Sequence, residues 1–110
     1  MSWVSATQLY NRVLLDPRAS RASMREYATD MLEILDFLAS RNIGRQFNII
    51  TSMLVLGLEF VENNRIIWIN QSTSDYEIQV TDVLHYELFS YPGVKKAQIP
   101  QKLLEIVDSI

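Results

Sequence analysis

The sequence predicts an α+β fold with two to three N-terminal helices, an antiparallel β-meander with a hairpin at Asn63-Asn64, and a C-terminal helix. Three observations carry this. Apolar residues recur at three- and four-residue spacing from Met24 to Leu38, the period of a helix with one buried face. Asn63-Asn64 separates two strand-like runs, LEFVE and RIIWI. Ile99-Pro100 opens a last apolar-periodic segment that ends at Ile110. With 110 residues, 48% hydrophobic, 21% charged and only three glycines and three prolines, the chain reads as a single ordered domain, 1–110.

Ser5-Ala6-Thr7-Gln8 matches a capping box and predicts a first helix, with Leu9, Val13 and Leu14 inward and Trp3 and Val4 packing back before the cap. Asp16-Pro17 ends it, because a residue before proline is steered out of the α region. Ser23-Met24-Arg25-Glu26 is a second capping box, opening a helix that carries Met24, Tyr27, Ala28, Met31, Ile34, Leu35 and Leu38 on its apolar stripe. Phe37 falls on the acidic side of that helix, and Asn42-Ile43-Gly44 supplies its stop.

From Gln46 to Leu56 the chain is apolar almost all round, so periodicity does not separate buried helix from buried strand. Helix is the expectation, because a strand reaching unbroken to Val61 would be unusually long and Gly57 is a natural stop. A two-residue turn at Asn63-Asn64 sets Glu62 opposite Arg65, Phe60 opposite Ile67 and Leu58 opposite Ile69. Leu58, Phe60, Ile67 and Ile69 then share one face, and Val61, Ile66 and Trp68 share the other with Glu59. Tyr76, Ile78 and Val80 alternate with Glu77 and Gln79 as a half-buried strand. Asp82–Tyr91 fits either a second hairpin or a short helix, and Pro92-Gly93 ends it in both cases. Leu103, Ile106, Val107 and Ile110 face inward from the closing helix.

Charge and composition exclude several chemistries. No cysteine means no disulfide, thiol catalysis or thiolate metal site. The start MSWVSATQLYNR lacks the pattern of a secretory signal, and no apolar run approaches the roughly 20 residues of a bilayer span, so a cytoplasmic protein without membrane association is expected. Asn70-Gln71-Ser72 matches the N-glycosylation pattern, which requires secretion to matter. Net charge is −3, distributed as +1 up to Arg45 and −4 beyond it, which makes nucleic acid an unfavourable partner.

Candidate sites are few. His85, the single histidine, has Asp82 and Glu87 nearby but no nucleophile placed by spacing, and reads as an ordinary structural position. Glu26, Asp30 and Glu33 share a helix face, which reads as a solvated one because no second carboxylate pair completes a coordination sphere. Arg18, Arg21 and Arg25, in a repeated Arg-Ala-Ser context, are the nearest approach to an anion site. No catalytic residue, cofactor or metal is expected.

The expected function is a non-enzymatic protein-protein interaction or assembly module, self-associating as a homodimer through apolar and aromatic faces of the hairpin region. Phe37, Val61, Ile66, Trp68, Tyr86, Phe89 and Tyr91 are its expected contact residues, since aromatic side chains commonly anchor interfaces. The alternative is a winged-helix nucleic-acid-binding regulator, with 46–56 as recognition helix and Asn63-Asn64 at the wing tip. Its outer face would offer only Gln46, Asn48, Thr51 and Ser52 to bases.

Overall fold

In the computed structural model, which describes residues 3–16, 18, 21–41 and 47–110, the periodic segment forms helix α2, Ala22–Ala39. Tyr27, Ala28, Met31, Ile34, Leu35 and Leu38 are buried along it, so the predicted stripe is the one that meets the core. Helix α1, Trp3–Leu15, packs beside α2 with Ala6, Tyr10 and Val13 inward. Helix α3, Ile99–Ser109, carries Pro100 in its first turn and buries Ile99, Leu103, Ile106 and Val107. Neither capping box lies where the sequence placed it. Trp3 already belongs to α1, and α2 starts at Ala22 with Arg21 at the cap, so Ser5 and Ser23 are first-turn residues. The predicted stop at Asn42-Ile43-Gly44 lies outside the described residues.

Five strands form one antiparallel sheet in chain order: β1 (Asn48–Ser52), β2 (Val55–Phe60), β3 (Arg65–Gln71), β4 (Tyr76–Thr81) and β5 (Glu87–Val94). The helix expected over 46–56 is therefore corrected: 48–52 is a strand, and Met53-Leu54 turns the chain straight into β2. Gly57 is not a stop but a mid-strand residue. A Cβ there would stand 2.7 Å from the Trp68 ring and 2.9 Å from Ile50, so glycine is required by close approach.

The β2–β3 hairpin also departs from expectation. Its loop is the four residues Val61–Asn64, of which Val61–Asn63 make a 3-10 turn and only Asn64 is left-handed, at φ 55°. Leu58 consequently faces Ile67 and Leu56 faces Ile69. This is a slip of two residues from the predicted register, and a slip of two returns every side chain that remains in the two strands to its predicted face. The segment Asp82–Tyr91 resolves as a tight turn followed by β5. Pro92-Gly93 lies within β5 rather than ending it, which an edge strand tolerates because its outer N–H groups have no ladder partner to lose.

One core joins the helices to one side of the sheet. Ile49, Leu56, Leu58, Phe60, Ile67, Ile69, Tyr76, Ile78 and Val80 pack against all three helices, whereas Ile66 and Trp68, buried on the opposite side, are not part of that cluster. The layers are also tied by phenols. The Tyr27 hydroxyl accepts from the Leu56 N–H at 2.8 Å and donates to the Ile69 carbonyl at 2.6 Å, so one side chain of α2 bridges β2 and β3. Tyr10 of α1 donates to the Leu54 carbonyl at 2.8 Å. Tyr76 of β4 donates to Asp30, whose other oxygen lies 3.0 Å from Lys96 Nζ, and Lys96 reaches Glu33 at the same distance. Asp30 is only 4% exposed, which corrects the solvated face expected for Glu26, Asp30 and Glu33: its centre is buried and paired.

Two outcomes follow from these ties. Tyr27→Phe leaves the Leu56 N–H and Ile69 carbonyl without their bridge, and denaturant unfolding should show a loss of about 1–3 kcal/mol; an unchanged midpoint would show that the bridge contributes nothing. Burial raises the pKa of the Tyr10, Tyr27 and Tyr76 phenols well above the ordinary 10.0, with the hydrogen bond to Asp30 adding to the effect at Tyr76. Above pH 10 the unfolded chain therefore binds fewer protons than the folded one, and stability should be level up to about pH 10 and fall beyond it. Melting temperatures that stay level well above that pH would contradict the assignment.

Candidate functional site

The registers of the four strand pairs lay out the second face of the sheet as three rows. The middle row is Ile50, Gly57, Trp68, Gln79 and Ser90. On one side of it run Asn48, Glu59, Ile66, Thr81 and Glu87. On the other are Ser52 and Val55, with Asn70 and Glu77 across the sheet. Since the core cluster takes its strand residues from the opposite rows, no helix among the described residues covers this face. An antiparallel sheet tolerates one wet face, but such a face is normally polar.

What covers the centre of this face is local. The Trp68 indole lies over the bare backbone of Gly57 and against Ile50, donates to Thr81 Oγ1 at 3.1 Å, and is 6% exposed. Above it the His85 ring stacks at 5.6 Å between centres. The β4–β5 turn holds His85 there. Asp82 Oδ1 accepts from the Leu84 and Tyr86 amides at 2.9 and 3.0 Å, His85 N–H donates to the Asp82 carbonyl, and His85 itself is left-handed at φ 68°. The Asp82 carboxylate is thus engaged in the turn, and Glu87 accepts from Gln79 at 2.9 Å, so both neighbouring acids serve other donors than the imidazole.

Beside the Trp68–His85 pair is an open cavity of about 290 Å³, lined by Ser52, Met53, Val55, Asn70, Gln79 and Thr81 together with the two rings. Its far wall is the β1–β2 turn. Met53 and Leu54 are both left-handed, at φ 49° and 73°, in a two-residue hairpin loop that ordinarily takes Asn-Gly. Non-glycine residues in that conformation cost about 1–2 kcal/mol each. The hydrogen bond from Tyr10 to the Leu54 carbonyl and the packing of Leu54 on the core hold the turn in place, while the Met53 side chain is 96% exposed at its tip. Behind the same turn, between α1, α2 and the sheet, lies a second cavity of about 330 Å³, floored by Tyr10 and Tyr27 and lined by Val13, Met24, Ala28 and Leu54.

The residues expected to form a contact surface are distributed over several parts of the fold. Ile66 and Trp68 share the uncovered face as predicted, but as its buried floor. Val61 leaves the strand for the 3-10 turn and is 61% exposed at the β2–β3 tip. Phe37 is half-buried against the core with Arg41 over its ring at 5.1 Å, so it is covered rather than presented. Phe89 and Tyr91 pair with Val80 and Ile78, on the helix side of the edge strand, and Lys102 of α3 sits 5.0 Å above the Tyr91 ring. Tyr86 is exposed at the β4–β5 turn. Arg18, Arg21 and Arg25 are all exposed around the start of α2. Among the described residues no group of three or more His, Asp or Glu side chains is placed to hold a metal ion, and no helix is long and apolar enough to cross a membrane.

Sequence reading placed Glu59 beside Ile66 and Trp68 but missed Met53, Gln79 and the carboxylates Glu77 and Glu87 as residues of the same face. The alternation in YEIQVT already pointed Glu77 and Gln79 to a common side, whereas the Met53 turn has no turn residue to reveal it. Compared with protein-family models, with curated proteins and with solved structures, the chain matches none.

Because Met53 is solvated, Met53→Asn removes left-handed strain without removing packing. Stability should rise by about 1 kcal/mol, read by thermal melting. A loss of stability would mean that the Met53 side chain is held by the fold after all.

Proposed function

We propose that this chain is a non-enzymatic protein-interaction module and that the uncovered sheet face is where another protein docks. The observation that carries the reading is a five-stranded sheet whose helices lie on one side only. Ile50, Val55, Ile66 and Trp68 stand on the other side, and Met53, Leu84 and Tyr86 are exposed around it. With Ile66 and Trp68 as buried floor, the partly exposed Ile50 and Val55 and the exposed Met53, Leu84 and Tyr86, set among polar groups, have the composition of a protein-binding surface.

The polar chemistry of the domain supports a structural use of its ionisable groups. Both Asp30 oxygens are engaged, by Tyr76 and by Lys96, and His85 is stacked on an indole. The winged-helix alternative loses its recognition helix, because the described part of 46–56 is strand and turn.

A photo-crosslinking residue at Gln79 or Ser90, in the middle row, should give adducts with another protein in the cell that makes this chain. The same residue at Arg12 or Asp108, on exposed helix positions, should not. Adducts from the helix positions alone would overturn the reading.

A further inference from the structure

Resting on that docking reading, the geometry points to the chemistry of the partner: a basic segment, carrying Lys or Arg on both sides of an apolar residue, laid across the uncovered face along the row from Glu59 to Glu87. Charge is segregated between the two sides of the domain. Every Lys and Arg among the described residues lies in a helix, in a connection between elements, or at Arg65 on the helix-facing register of β3. The uncovered rows carry no cation and three carboxylates, Glu59, Glu77 and Glu87.

On the helix side, by contrast, acids meet bases. Lys96 holds Asp30 and Glu33 at 3.0 Å, and Lys102 holds Glu105 at 3.3 Å. None of the ion pairs among the described residues involves the three carboxylates of the open face. Their local partners are neutral amides, Asn48 for Glu59 and Gln79 for Glu87. A polyanion is repelled by such a face, and two copies docked through it about a twofold axis bring like charges together, which disfavours the pairing.

Spacing refines the partner further. Glu59 on β2 and Glu87 on β5 lie in one row, three strands apart, which is about 14 Å at the usual strand separation. An extended segment rises about 3.3 Å per residue, so side chains four apart span about 13 Å on one side, with the residue between them facing the same way. Basic residues at i and i+4 reach Glu59 and Glu87, and the residue at i+2 lies over the row between Ile66 and Thr81. Glu77, across the middle row, is left for a third cation and borders the approach to the 290 Å³ cavity beside His85.

The test is selection of random twelve-residue peptides displayed on phage against the full chain, followed by binding of the enriched peptides to two variants. One is Glu59→Gln/Glu77→Gln/Glu87→Gln. The other, Glu26→Gln/Asp36→Asn/Asp108→Asn, removes as much charge from exposed helix positions, and melting curves establish that both fold. Enriched peptides should be net positive with a basic pair four residues apart around an apolar residue. They should lose about tenfold or more in affinity on the first variant, keep it on the second, and shift the amide resonances of β2 to β5.

Neutral or acidic peptides that shift the same resonances, or basic peptides indifferent to the three carboxylates, overturn the charge assignment and leave the docking reading standing. Failure to enrich any peptide that depends on the three carboxylates overturns it as well. Sedimentation showing a dimer that tightens with salt, and that Trp68→Ala or Gln79→Arg abolishes, assigns the face to a second copy and overturns the basic partner. Absence of crosslinks from Gln79 and Ser90 overturns the docking reading itself.

Discussion

The fold depends on a hydroxyl group that belongs to a helix but serves the sheet. Tyr27 accepts from β2 and donates to β3, so helix and strands are joined by hydrogen bonds as well as by apolar burial. Apolar packing alone is non-directional and lets a helix slide on a sheet. A phenol fixed between one amide and one carbonyl specifies a position. Tyr10 and Tyr76 add two further ties, to the Leu54 carbonyl and to Asp30, and the phenol rings of Tyr10, Tyr27 and Tyr76 follow one another at centre distances of 6.1 and 6.2 Å. Among the described residues no buried side-chain nitrogen or oxygen is left without a partner, so this polar seam carries no desolvation penalty without compensation.

With both α1 and α2 tied to one side, the sheet has two unlike faces. One is a dry core contributed by every strand and helix. The other must limit its own apolar exposure, and does so by economy of shape: Trp68 lies flat because Gly57 leaves room for it, and His85 closes over the indole. The strained Met53-Leu54 turn works in the opposite direction, placing a large apolar side chain in solvent where a small polar one would be easier to hold. Backbone strain of this kind tends to persist where a side chain is used.

Much of the architecture was legible in the residues. The α2 stripe, the closing helix, the half-buried β4 strand and the two faces of the β2–β3 hairpin all follow from periodicity. What was hidden shares a physical cause: tertiary contacts standing in for local signals. Met53-Leu54 turns without turn residues because Tyr10 holds the Leu54 carbonyl, and Gly57 reads as a terminator until its neighbour's indole is placed over it. Asp30 looked solvated because its partners, Tyr76 and Lys96, come from distant parts of the chain. The candidate face was half legible. Ile66 and Trp68 were recognised as a second apolar side, but Val61 was added to it on the assumption of a two-residue turn, which the four-residue loop undoes. The separate aromatic run was read without a register, which the pairing of Phe89 and Tyr91 with Val80 and Ile78 supplies.

The Met53-Leu54 turn has a further consequence, for the way β1 joins the fold. A hairpin with Asn-Gly at its tip can close on itself early, since the nearest residues carry the preference. Here the group that holds the turn is 44 residues upstream, on the N-terminal helix. The cost of forming this corner is therefore the entropy of closing a long loop rather than of bending two residues. This edge strand of the sheet is thus coupled to the first helix of the chain, at the Leu54 corner and again where Trp3 packs edge-on against Phe47 just before β1, so local opening of one loosens the other.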